Sequence, residues 1–74
     1  RRLVRLRPES ALAHYNLACS LALLRRPSEA VATLHRAVDL GYDDALWMAE
    51  DTDLESLRTR PDFRALLERM RRSR

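Results

Sequence analysis

Several residue types that form crosslinks, metal sites or tight turns in small proteins are scarce in this chain. Among its 74 residues there is one cysteine, Cys19, and one glycine, Gly41, and all 14 basic residues are arginine. A single cysteine excludes an internal disulfide and a cysteine-rich metal site. A single glycine excludes a glycine-rich phosphate-binding loop. No apolar run reaches the roughly 18 residues that a membrane-spanning helix needs, so no membrane interaction is predicted.

Alanine, leucine and arginine dominate what remains, and this composition predicts an all-α chain. Pro8, Pro27 and Pro61 each suit the first turn of a helix, where the missing N–H would have no partner anyway. A chain of this size buries only about 60% of its unfolded surface. It is therefore marginally stable without a disulfide, a metal or a neighbour to pack against.

Apolar spacing in the first half predicts a helical hairpin. In the first helix Leu17, Leu21 and Leu24 recur at helical spacing and predict an apolar face, with Ala18 and Ala22 beside them. The second helix repeats the pattern with Ala30, Val31, Leu34, Ala37 and Val38. Only a very short turn separates the two, which forces them antiparallel, and the glycine that follows predicts a left-handed C-cap.

The second half is predicted to form shorter helices and one clear final helix. Asp43 or Asp44 could begin a two-turn helix, and Asp51, Thr52 or Asp53 could cap a second short helix or 3₁₀ turn. The final helix begins at the third proline. Its apolar face consists of Phe63, Leu66, Leu67 and Met70.

The polar residues give no catalytic constellation, so we predict neither an enzyme nor a cofactor. His14 and Cys19 are five positions apart and do not share a helix face. His35 and Asp39 are four apart and predict a surface pair rather than a dyad. The acidic run that begins at Asp51 lacks the glycine of a calcium loop, so helix capping is the preferred interpretation and no metal site is predicted.

Trp47 has two interpretations. It could be an exposed anchor for a partner, or it could pack between the hairpin and the terminal helix and seal the end of the core. Large aromatic side chains are highly buried on average. We therefore predict that Trp47, like Phe63, belongs to the core.

The sequence repeats itself after 34 positions, so that Val4 falls on Val38 and Leu6 on Leu40. The unit between them resembles the tetratricopeptide repeat, a helix-turn-helix unit of that length. The residues that carry the resemblance are Asn16, Leu17, Ala18, Leu21, Ala30, Leu34 and Ala37. Three features depart from the family pattern: His14 replaces a bulky apolar residue, Arg25-Arg26-Pro27 replaces a glycine-containing turn, and Tyr42 replaces a closing proline.

The resemblance implies an α-α superhelix or solenoid fragment in three parts. Residues 1–8 resemble the end of a preceding repeat, 9–44 one repeat hairpin, and 45–74 the capping helices. The stretch "GYDDALWMAEDTDLESLRTRPDFRALLERM" is similar to the segment that follows the last repeat in bacterial members. The chain is therefore expected to be an excised piece of a longer, cytoplasmic bacterial protein, because a repeat array needs a cap at each end.

The same resemblance implies a protein–protein interaction scaffold that binds a partner peptide or helix in its concave groove. The groove residues that it implies are Leu12, Tyr15, Asn16, Cys19, Ala22 and Leu23. Replacing Tyr15 and Asn16 together is then expected to weaken partner binding without loss of helicity.

Two alternatives remain open. The first is a structural cap that forms homo-oligomers through a face exposed at Leu3, Val4 and Leu6. The second is nucleic-acid binding by the arginine-rich ends. The second is disfavoured because the arginines lie at the two ends of the chain and the middle is acidic.

Overall fold

The computed structural model describes residues 8–72, and every regular element in that range is helical. Helix α1 spans Pro8–Leu23 and helix α2 spans Pro27–Asp39. Helix α3 spans Ala45–Glu50, a 3₁₀ helix follows at Thr52–Leu57, and helix α4 spans Pro61–Arg72. The prediction of an all-α chain is confirmed. Within residues 8–72 no helix is long and apolar enough to cross a bilayer.

Helices α1 and α2 form the predicted antiparallel hairpin, because only three residues separate them. Small side chains line their contact: Ala18, Ala30 and Ala37 are all fully buried. Such residues let two helices approach closely. Leu34 is also fully buried and belongs to the same core.

Both helices of the hairpin end in the same backbone motif, with different residues at its left-handed position. After α2, Gly41 has φ 117°, and after α1, Arg25 has φ 64°. In each case the next residue, Tyr42 or Arg26, donates its N–H to the carbonyl five positions earlier at 2.9 Å. The motif usually carries glycine because a Cβ is disfavoured there. The C-cap predicted at Gly41 is confirmed, and an unpredicted one lies at Arg25.

Replacing Arg25 with glycine is expected to stabilise the chain by about 0.5–1 kcal/mol. A side chain in the left-handed conformation costs roughly 1–2 kcal/mol, and the greater freedom of glycine in the unfolded chain offsets part of the gain. Urea denaturation followed by circular dichroism measures the difference. Arg25→Ala is the control, since it removes the same guanidinium and keeps the Cβ. Equal gains in both variants would assign the effect to charge instead of backbone conformation.

The buried face of α1 differs from the predicted one. Leu17 and Leu24 are 51% and 66% exposed, and Leu21 is only partly buried. The buried side chains are instead Ala11, Tyr15, Ala18, Cys19 and Ala22. This face packs against both α2 and the 3₁₀ helix. Because two elements cover it closely, there is room only for small or flat side chains. The predicted apolar face is therefore wrong at Leu17 and Leu24.

Two aspartates begin the short helices after the hairpin. Asp44 accepts a hydrogen bond from the backbone N–H of Trp47 at 3.0 Å and begins α3. Asp51 accepts one from the backbone N–H of Asp53 at 2.9 Å and begins the 3₁₀ helix. Aspartate at this position satisfies an N–H that lacks a partner within the helix. The structure thus selects Asp44 and Asp51 from the alternatives that the sequence left open.

The segment after α2 completes a single core with the hairpin. Its fully or almost fully buried side chains are Met48, Leu54, Leu57, Phe63, Leu66 and Met70. The core positions predicted for α4 are confirmed at Phe63, Leu66 and Met70, whereas Leu67 is partly buried at the edge. Residues 45–72 therefore supply a large share of the core, and the hairpin by itself lacks these side chains.

Trp47 does not belong to this core, and the prediction that it seals the end of the hairpin is wrong. Its side chain is 60% exposed, while Ala45 and Met48 are buried. Residues three apart lie on the same side of a helix, so α3 uses Ala45 and Met48 for packing. The position between them, Trp47, consequently projects into solvent.

Helix α4 is tied to α2 by Arg69. Its guanidinium donates to the carboxylate of Asp39 at 3.0 Å and to Nδ1 of His35 at 3.2 Å. His35 and Asp39 therefore do not form the predicted direct pair in the described part of the chain, and each instead contacts Arg69. Exposed pairs of this kind contribute about 0–1 kcal/mol each, so they orient α4 more than they stabilise it.

Candidate functional site

A group of polar side chains lies where the segment after α3 meets α1. One carboxylate oxygen of Asp51 accepts a hydrogen bond from the Tyr15 hydroxyl at 2.5 Å, and the Cys19 thiol donates to the same oxygen at 3.8 Å. The other oxygen holds the cap of the 3₁₀ helix. Tyr15 and Cys19 are buried and Asp51 is half-buried. A single carboxylate therefore joins the 3₁₀ helix to α1.

Tyr42 adds an aromatic contact to this group. Its ring is stacked on that of Tyr15, with the centroids 4.6 Å apart and the planes 10° from parallel. Stacked pairs contribute about 0.5–1.5 kcal/mol beyond the area that they bury. We refer to Tyr15, Cys19, Tyr42 and Asp51 together as the Asp51 cluster.

All three protonated groups of the Asp51 cluster resist ionisation. Burial, and then the hydrogen bond to Asp51, raise the pKa of Tyr15 far above its usual range. Burial, followed by the negative charges nearby, raises the pKa of Cys19 to about 11. Burial also raises the pKa of Tyr42 to about 12. At neutral pH Cys19 is therefore a thiol, whereas a nucleophile or a metal ligand must be a thiolate.

Cys19, Asp51 and Asp53 lie close enough to be considered as metal ligands. One sulfur and two carboxylate oxygens fall within 4.8 Å of one another. The raised pKa of the thiol opposes this role, and both oxygens of Asp51 already accept hydrogen bonds. The geometry favours helix capping and attachment to α1.

The six predicted groove residues divide into two sets. Leu12, Asn16 and Leu23 are exposed, whereas Tyr15, Cys19 and Ala22 are 4%, 7% and 4% exposed. The second set lies on the buried face of α1 that packs against α2 and the 3₁₀ helix. The prediction of an open groove lined by all six residues is therefore corrected. Only Leu12, Asn16 and Leu23 are exposed to a partner, because other parts of the chain cover Tyr15, Cys19 and Ala22. The self-association residues Leu3, Val4 and Leu6 lie outside the described residues.

Six large apolar side chains are more than half exposed in residues 8–72, and most were not predicted as surface. They are Leu12, Leu17, Leu23, Leu24, Leu46 and Trp47. At about 100° per residue, Leu12, Asn16 and Leu23 lie within about 40° around the α1 axis. We call these three residues the α1 stripe. Leu17 and Leu24 form a separate line farther around the helix.

A pocket of about 780 Å³ opens beside Leu23, between the α1–α2 turn and the 3₁₀ helix. Its lining combines apolar, basic and acidic side chains, among them Leu23, Pro27, Arg25, Arg60, Asp53 and Glu55. These residues come from segments that are far apart in sequence. No local pattern marks such a pocket, so only the packing of the 3₁₀ helix against α1 discloses it.

The chain is similar to a chloroplastic protein from Arabidopsis thaliana, with 37% identity over 59 residues. The match covers 80% of this chain and 18% of that protein. No family model matches the chain, and no solved structure matches it. The relationship thus joins most of this chain to a small part of a longer protein.

Proposed function

We propose that this chain is a terminal module of a helical-repeat protein of the tetratricopeptide type and that it acts as a protein-binding scaffold. Support comes from the repeat that relates Val4 to Val38 over 34 positions and from the α1–α2 hairpin that lies within it. The packing of residues 45–72 onto that hairpin is what a capping segment requires, because a repeat array needs its last unit covered.

The observation that carries the binding role is the α1 stripe. Leu12 and Leu23 are 51% and 63% exposed on a helix whose neighbouring side is already buried. The two leucines lie about 16 Å apart along the same side of α1, so an extended or helical partner segment that follows this side contacts both and covers their exposed apolar surface. Asn16 lies between them, and its amide can both donate to and accept from the backbone of a bound segment.

A binding role also suits the chemistry of the described residues better than catalysis does. The thiol and the phenols of the Asp51 cluster are protonated at neutral pH. His14 Nδ1 lies 2.8 Å from the carbonyl oxygen of Ser10 in its own helix. These groups hold the fold together, and we propose that partner binding takes place on the exposed side of α1.

Photocrosslinking tests the proposal in cells that make the natural protein. A benzophenone amino acid at Leu12 or Leu23 is expected to give a covalent adduct with a distinct protein, and the adduct survives nuclease treatment. The same group at Ala65, an exposed position on α4, is the matched control and is expected to give none. Adducts of equal yield at all three positions, or none at Leu12 and Leu23, would contradict the proposal.

Self-association is a second candidate, and the exposure of Leu17 and Leu24 favours it. In that case crosslinks join two copies of this chain and depend on its concentration. Adducts that disappear with nuclease would instead support nucleic-acid binding by the arginines at the two ends of the chain.

A further inference from the structure

We propose that the pocket beside Leu23 binds a basic segment of a partner protein, in which an arginine or lysine stands next to an aliphatic side chain. This inference rests on the proposed function and names the chemistry of the partner. It follows from the pocket's apolar wall and from the charges on the opposite wall.

The apolar wall accounts for the aliphatic residue. Leu23 is 63% exposed and lines the pocket with Ala22 and Pro27. A volume of about 780 Å³ falls within the range of roughly 300–1,000 Å³ that is typical of binding pockets. An aliphatic side chain placed there removes apolar surface from water on both molecules, at about 25 cal/mol per Å².

The acidic wall accounts for the basic residue. Asp53 and Glu55 are exposed and line the pocket, and within residues 8–72 neither forms an ion pair. An oxygen of Asp51 lies within 4.8 Å of one of Asp53. The charge of Asp51 therefore adds to the negative potential at Asp53, and that potential attracts a basic side chain in the pocket.

The pocket's own arginines do not cancel this charge. Arg60 donates two hydrogen bonds to Asp62, at 3.0 and 2.9 Å, so its charge is already compensated. Arg25 on the turn is the one uncompensated cation among the described lining residues. Moreover, α1 ends at Leu23 with no basic residue in its last turn, and the C-terminal end of a helix dipole is negative. The balance favours a cationic occupant over an anionic one.

Nuclear magnetic resonance titration of the 74-residue chain with three acetylated, amidated hexapeptides tests the inference. The probes are GRLRLG, the acidic GELELG and the neutral GSLSLG, which share their leucines. We expect GRLRLG to shift the backbone amides of Leu23, Asp53 and Glu55 most strongly. Its affinity is expected to fall when sodium chloride is raised from about 50 mM to about 500 mM, because salt screens exposed charges.

Matched variants test the contributions of the acidic wall and the apolar wall separately. The double variant Asp53→Asn/Glu55→Gln is expected to weaken GRLRLG binding roughly threefold to thirtyfold, since exposed pairs contribute up to about 1 kcal/mol each. Glu68→Gln, an exposed carboxylate on α4, is expected to leave it unchanged. Leu23→Ala is expected to weaken binding, whereas Leu24→Ala, which is exposed but does not line the pocket, is not.

The outcomes distinguish this inference from the proposed function. If GELELG or GSLSLG shifts the same amides with equal affinity, the surface binds protein segments but the basic partner is wrong. If no peptide shifts them, or if the double variant binds GRLRLG like the original chain, the inference is also overturned. The proposed function then depends on the crosslinks formed at Leu12.

Discussion

Replacing Tyr15 with alanine is expected to remove a large share of the chain's free energy of unfolding. The side chain is 4% exposed, its ring is stacked on Tyr42, and its hydroxyl donates to Asp51. Truncating a buried aromatic residue costs about 3–5 kcal/mol. A domain of this size has a total stability of roughly 4–11 kcal/mol, so the loss consumes much of it.

Two control variants make this prediction specific. Asn16→Ala changes the exposed neighbour and is expected to alter the free energy of unfolding by less than about 0.5 kcal/mol. Tyr15→Phe keeps the ring and removes the bond to Asp51, with an expected cost of about 1–3 kcal/mol because the carboxylate loses a partner. Urea denaturation followed by circular dichroism measures all three. If the Tyr15→Ala variant is as stable as the Asn16→Ala variant, Tyr15 does not support the fold, and the original prediction that it lines a binding groove is correct.

The different expected effects at Tyr15 and Asn16 change the design of the binding experiment. The resemblance to tetratricopeptide repeats implied that changing Tyr15 and Asn16 together weakens binding without loss of helicity. The structure separates the two residues, because Tyr15 supports the fold and Asn16 belongs to the α1 stripe. The binding test therefore needs Asn16 with Leu12 or Leu23, and Tyr15 unchanged.

Helix positions could be predicted because their signals are local. Pro27 and Pro61 stand at helix starts, and Gly41 follows the end of α2. Asp44 and Asp51 were among the predicted caps, since a short carboxylate side chain can reach backbone N–H groups two or three residues ahead. Each of these features depends on residues within one turn of the helix.

The faces of α1 could not be predicted in the same way. Apolar residues surround this helix, so its periodicity does not distinguish the buried line through Tyr15 and Ala22 from the exposed line through Leu17 and Leu24. The choice depends on the 3₁₀ helix, which covers one side of α1 from about 30 residues away in sequence. Trp47 was assigned wrongly for a related reason, because its size suggested burial while Met48 took the inward position.

Stability is expected to fall steeply at alkaline pH, because the groups of the Asp51 cluster are protonated in the folded chain. The ordinary pKa is 9.0 for a cysteine thiol and 10.0 for a tyrosine phenol. In the fold these values rise to about 11 for Cys19 and about 12 for Tyr42, and that of Tyr15 rises further. The folded chain thus binds more protons than the unfolded chain above about pH 9.

The sign of the effect follows from that difference. Where the folded state binds more protons, the free energy of unfolding decreases as pH rises. The contribution of these groups is complete below pH 9.0, the ordinary pKa of the thiol, and is lost through about pH 12. Urea denaturation at a series of pH values measures the decrease, and the absorbance of tyrosinate shows when the phenols ionise.

Tyr42→Phe tests whether the cluster is the cause. It keeps an aromatic ring for the stack on Tyr15 and removes one group that ionises, so its stability is expected to fall less steeply above pH 10. Folded chains are expected to show no tyrosinate absorbance at that pH, because burial opposes the charged form. Phenols that ionise near pH 10 while the helices stay intact would mean that Tyr15 and Tyr42 are accessible to water, and α1 would then present Tyr15 to a partner after all.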